Sequence, residues 1–102
     1  MPLLAVFTTV SNEAQAEELA TGAVEHRLAA CVQIKPVKST YRWKGHIEQD
    51  DEIRLMFKTT TDRHEALVQW LAGIHPYEVP AIFALPVQSA CEAYVDWVRA
   101  SL

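Results

Sequence analysis

Only two cysteines and three glycines occur in the 102 residues. Cys31 and Cys91 lie far apart and outside any C-x-x-C spacing, which excludes both a disulfide framework and a zinc knuckle. Three glycines leave little room for a phosphate cradle, and the chain contains no G-x-S-x-G, Walker A, H-E-x-x-H or Gly-rich dinucleotide turn. A binding protein is therefore expected rather than an enzyme. No run of Lys or Arg offsets the acidic excess, and a net charge of −4 with a pI near 5.5 argues against binding through nucleic-acid phosphates. No apolar run is long enough for a bilayer: Met1 to Phe7 lacks the basic start of a signal peptide and soon becomes Thr8-Thr9. A cytoplasmic location without membrane contact is the expectation.

What the chain does contain is a regular alternation of strand and helix patterns. Leu3 to Thr9 reads as a first strand. Asn12 with Gln15 resembles a capping box for a helix that ends near Leu28, with Ala16, Leu19, Ala20, Ala23, Val24 and Leu28 as its apolar stripe. Ala30 to Ile34 reads as a second strand, interrupted at Pro36 and resumed from Ser39 to Trp43. Lys44-Gly45 marks a turn, and the return strand alternates Ile53, Leu55 and Phe57 on one face with Arg54, Met56 and Lys58 on the other. Asp62 with Glu65 reads as the capping box of a second helix with stripe Ala66, Leu67, Trp70, Leu71 and Ile74. Ile82 to Val87 is a last strand, and Ser89 with Glu92 opens a third helix in which Tyr94, Trp97 and Val98 are expected to pack inward. One domain, residues 1–102, of α+β class follows: a ferredoxin-like βαββαβ with an extended β2-β3 hairpin and a C-terminal helix.

The hairpin points beyond a single chain. A strand from Ile47 to Thr60 would be ~45 Å long, against a radius of gyration of ~13 Å for a domain of this size. An overhanging edge is normally satisfied by a symmetric partner, so a homo-oligomer is expected, with Tyr41 and Trp43 near the contact between subunits.

The segment His75-Pro76-Tyr77-Glu78-Val79-Pro80 holds the most site-like inventory. Two prolines fix their own φ and keep His75 and Val79 out of the helical region, so an imidazole, a phenol and a carboxylate sit on stiffened backbone. His75, Cys31 and Glu78 offer ligand types suited to copper or zinc if the fold brings them together. Against that stands the ordinary reading of Cys31 as a small buried hydrophobe. Lys58 can offer a cation to an anionic effector or snorkel at an interface.

Ala30-Cys31-Val32, Ser39-x-Tyr41-x-Trp43-x-Gly45-x-Ile47-Glu48, Glu52 to Lys58-Thr59 and His75 to Pro80, in that order and spacing, resemble the CutA divalent-cation tolerance family over nearly the whole chain. The resemblance implies a ferredoxin-like homotrimer similar to the PII signalling proteins, with divalent metal (copper) or a small-molecule effector in clefts between subunits. On that reading the cleft residues are Lys58, Tyr77, Glu78 and Trp43 for an effector, and His75 and Cys31 for a metal. Thr8 and Ile74 stand where some family members have a Cys and a second His. A structural trimeric scaffold for a protein partner, without a physiological metal, is the alternative.

Overall fold

Pro36 does not divide the second strand. In the computed structural model, which describes residues 2–102, β2 runs unbroken from Cys31 to Trp43 and pairs in one register with β3 (His46–Thr60), Pro36 lying opposite Ile53. β2 is the edge of the sheet and has only β3 beside it, so the missing N–H is tolerated. The turn between them is Lys44-Gly45, both residues at positive φ. Two such residues make a primed turn, whose twist suits the hairpin.

The remaining elements are β1 (Leu3–Val10), α1 (Glu13–Glu25), α2 (Thr61–Ile74), β4 (Phe83–Pro86) and α3 (Glu92–Ala100). The sheet order is β2-β3-β1-β4 with antiparallel neighbours throughout, which is the ferredoxin-like arrangement the element order implies. Cross-strand register assigns the two faces. Val6, Leu55, Phe57, Ala16, Leu19, Ala23, Leu67 and Leu71 form the main core, so α1 and α2 cover the face carrying Ile53, Leu55 and Phe57.

Helix boundaries differ from the sequence reading at the end of α1 and at the starts of α2 and α3, the last capped by Cys91 rather than Ser89. α1 stops at Glu25 rather than Leu28, because Arg27 adopts positive φ and closes a Schellman cap. Leu28 N–H donates to the Ala23 carbonyl at 2.9 Å and Arg27 N–H to the Val24 carbonyl at 3.1 Å. Leu28 is buried as the residue beyond that cap, which is why it falls on the helical stripe without being helical. Asn12 does cap α1, accepting from Gln15 N–H at 2.8 Å, while the Gln15 amide oxygen accepts from Ser11 N–H rather than closing a true box. In α2 the cap residue is Thr60, and Asp62 lies inside the first turn, accepting from the Thr60 hydroxyl; Glu65 faces Gln69 instead.

The second face is not left wholly bare. α3 lies across it: Val98 is fully buried with Leu3 and Ala30, and Tyr94 places its ring 5.5 Å from the Lys58 ammonium. Trp97, expected inward, is 48% exposed and stacks on Tyr94 at 5.8 Å. Beyond α3, Phe7 lies beneath Arg54 and against Phe83, which is itself 53% exposed. The molecule is 45 Å in its longest dimension and 26 Å in the next, the elongation of a hairpin that outruns its domain.

Candidate functional site

β1 ends at Val10, opposite Ile53, but β3 continues outward to His46, so β3 loses its neighbour on that side where the overhang begins. The vacated space is taken by the segment that follows α2. His75 lies in extended backbone at the end of the helix, the conformation that Pro76 imposes on the residue before it. The chain then wraps the end of β1 toward the hairpin.

Two side chains fasten this segment. The His75 ring meets Thr8 Oγ1 through Nε2 at 2.9 Å, and its Nδ1 accepts from Tyr77 N–H at 3.1 Å. An accepting Nδ1 is unprotonated, so the proton sits on Nε2 and is donated to Thr8. The Tyr77 ring packs edge-on against His75 at 4.9 Å, and its hydroxyl donates to Glu52 Oε1 at 2.8 Å while accepting from Ser11 Oγ at 3.1 Å. A neutral imidazole and a phenol thus tie residues 75–77 to β1, β3 and the start of α1.

The result is a cleft of about 710 Å³. Its floor is the hairpin overhang: Ser39, Tyr41 and Trp43 alternate along β2, and Asp50 and Glu52 along β3, all on one face of the ribbon by register. Thr9 and Ser11, with Tyr77, Glu78, Val79 and Ala81 from the segment after α2, complete the lining together with Arg42. Asp50 accepts from the Tyr41 hydroxyl; that bond, then desolvation, then the charges of Asp50, Glu52 and Glu48 push the Tyr41 phenol up to about 12. Desolvation foremost, with Glu52 and Asp50 contributing, raises the Tyr77 phenol as well. The two phenols are thus held protonated mainly by the Asp50 bond at Tyr41 and by burial at Tyr77, with the neighbouring carboxylates adding to both.

Of the residues expected at the site, Trp43, Tyr77 and Glu78 meet here, with His75 behind Tyr77. Lys58 and Cys31 do not. They are cross-strand partners at the far end of the ribbon from the turn. The separation of Lys58 from Glu52 along β3 is roughly 20 Å at about 3.3 Å per residue. Cys31 shares the Lys58 face of the sheet, whereas Thr8, which holds His75, pairs with the core residue Leu55 and so belongs to the opposite face. Cys31 and His75 therefore do not converge within one chain. Both His75 ring nitrogens are already engaged, and among the described residues no group of three or more His, Cys, Asp or Glu side chains could hold a metal ion. A copper site does not fit the residues of a single chain. Sequence reading missed Ser11, Arg42, Glu52 and Asp50 as cleft residues; strand alternation was the signal for Asp50 and Glu52, and Ser11 and Arg42 had none.

The imidazole is also a stability sensor. Burial pulls the His75 pKa below its usual 6.5, only partly opposed by a backbone hydrogen bond at Thr9 and the Glu52 charge. As pH falls through about 6.5 the unfolded chain takes up this proton first, so stability is full above that range and declines below it. The expected result is a urea midpoint that drops more between about pH 7 and about pH 5 for the natural chain than for His75→Gln. Equal drops would show that His75 is not the group responsible.

Comparison with known proteins agrees with this architecture. Residues 4–101 match the family model described as CutA1 divalent ion tolerance protein. The chain is 46% identical over 96 residues to human Protein CutA, covering 93% of this chain and 54% of that protein, so it spans about half the length of that relative. It is 40% identical over 100 residues to the divalent-cation tolerance protein CutA of Thermotoga maritima, covering 98% and 99% of the two chains. The structure of CutA from Synechococcus elongatus superposes with a TM-score of 0.96 at 46% identity, over 98% of this chain and 89% of that one. A second structure of the same protein, complexed with a Bis-Tris molecule, gives 0.93 at 46% identity over 99% and 94%.

Proposed function

Since the chain belongs to the CutA1 divalent ion tolerance family, we propose that it works as a homotrimeric, PII-like binding protein, with a small effector or divalent cation held in a cleft that a neighbouring subunit completes. The observation that carries this reading is the fastening of residues 75–77 across the end of β1, which makes a walled cleft out of an overhanging ribbon. The geometry favours the effector over the metal. A tight copper or zinc site needs three or four converging ligands, which a single chain does not supply, so His75 and Cys31 could serve a metal only with a second subunit's side chains. The Bis-Tris complex of the Synechococcus relative supports a ligand of small-molecule size. Trimer formation is supported by the overhang and by Phe83 and Leu85, 53% and 52% exposed on the sheet face beyond α3. No helix among the described residues is long and apolar enough to cross a membrane.

Sedimentation and titration test the two parts separately. A particle of three 11.5 kDa chains is expected, and an 11.5 kDa species alone at all concentrations would overturn the assembly. Saturable binding of a small effector or a divalent cation (copper, zinc), weakened by Tyr77→Ala, is expected in calorimetry. The scaffold alternative, trimeric but without a ligand, is favoured by the occupied ring nitrogens of His75. It requires that His75→Ala lower the melting temperature while no heat of binding appears for the natural chain.

A further inference from the structure

The cleft has a chemical bias that narrows its ligand, and this narrowing rests on the reading of the cleft as a binding site. Three carboxylates, Asp50, Glu52 and Glu78, line it against one guanidinium, that of Arg42. Two of them are oriented by phenols, Asp50 by Tyr41 and Glu52 by Tyr77, and the Tyr77 bond takes only Oε1 of Glu52. Three aromatic rings share the lining, and the Trp43 ring already draws a cation, the Lys44 ammonium 5.5 Å from its centroid. The carboxylates do not converge as metal ligands do, and about 710 Å³ is far more than one bare ion occupies. Volumes of that order are typical of sites for small organic molecules.

We propose that this cleft binds a small organic cation, an ammonium on an aliphatic body, whose charge is met by Asp50, Glu52 and Glu78 and whose body packs against Tyr41, Trp43 and Tyr77. Aromatic faces and carboxylates act together on such a ligand: the ring quadrupole attracts the onium group, and the aliphatic part gains by leaving water. A hydrated metal ion gains from the carboxylates alone.

Two cations and their uncharged isosteres provide the test on the full chain in its native assembly. Choline is compared with 3,3-dimethylbutan-1-ol and putrescine with butane-1,4-diol, by calorimetry and by the tryptophan fluorescence that Trp43→Leu removes, with copper and zinc chlorides titrated in parallel. At least one cation is expected to bind at least tenfold more tightly than its isostere, and to lose at least tenfold in affinity in Trp43→Leu and severalfold in Glu78→Gln. Glu78 is an exposed loop residue, so its variant keeps the test valid if Trp43→Leu fails to fold. Equal binding of cation and isostere, or cation binding untouched by Glu78→Gln and by a folded Trp43→Leu, overturns the proposal. Metal binding without binding of either cation overturns it while leaving the broader reading intact, and binding of nothing overturns both.

Discussion

Phe57→Ala is expected to lower the unfolding free energy by about 3–5 kcal/mol, read as a fall in the urea midpoint at unchanged slope. Phe57 is fully buried at the centre of the sheet, with Val6 and Val32 as its cross-strand partners and the α1 and α2 stripes above it. The void cannot collapse readily, because β3 is held by hydrogen-bonded neighbours on both edges at this register. Phe57→Leu keeps much of the volume and should cost only about 1–2 kcal/mol. A domain of this kind has about 5–15 kcal/mol in total, so the alanine variant would be near the limit of folding. A loss below about 1 kcal/mol would show that Phe57 is not the centre of the core.

Val98→Asp should act quite differently, on one element rather than on the whole. Val98 is fully buried, but in the small cluster with Leu3 and Ala30, not in the main core. Keeping an aspartate there would forfeit about 2 kcal/mol of apolar burial and strand a carboxylate out of water. The alternative is release of α3, which returns the carboxylate to water and leaves the main core in place. The nine residues of α3 do not hold a helix in isolation, so α3 should lose its helical signal and its amide protection together, while α1 and α2 keep theirs. Hydrogen exchange followed residue by residue gives the answer. Unchanged protection in α3, or equal loss in all three helices, would show that α3 is not a separable unit.

Element order, the sheet topology and the core face of β3 were legible in the sequence because Ile53, Leu55 and Phe57 alternate cleanly and the turn residues are distinctive. Pro36 misled because a proline interrupts only a strand paired on both sides, and which strands are edges is a tertiary fact. Leu28 misled because a Schellman cap returns the next apolar side chain to the face of the helix it ends. Trp97 sat at a helical position beside Val98, yet α3 meets the sheet along a stripe too narrow to cover both. The site followed the same division. Tyr77 and Glu78 could be singled out from their proline-fenced context and Trp43 through the family resemblance, whereas Glu52 and Ser11 become neighbours of Tyr77 only through the end of β1. Alternation gives the face of Lys58 and Cys31 but not their distance from that end, and the distance is what removes them from the cleft.

The strand order also ranks the pairings by how much chain each must close. β2 and β3 are joined by two residues, whereas β1 meets β4 through pairs such as Leu4 with Pro86, nearly the whole chain apart. Local pairings form at small entropic cost and long-range ones wait for them. The cleft is built from both extremes, its floor from the earliest pairing and its outer wall from the segment leading into the latest. In native hydrogen exchange the amides of residues 77–79 are therefore expected to lose protection before those of β2 and β3, so that the cleft opens from its wall while its floor stays paired.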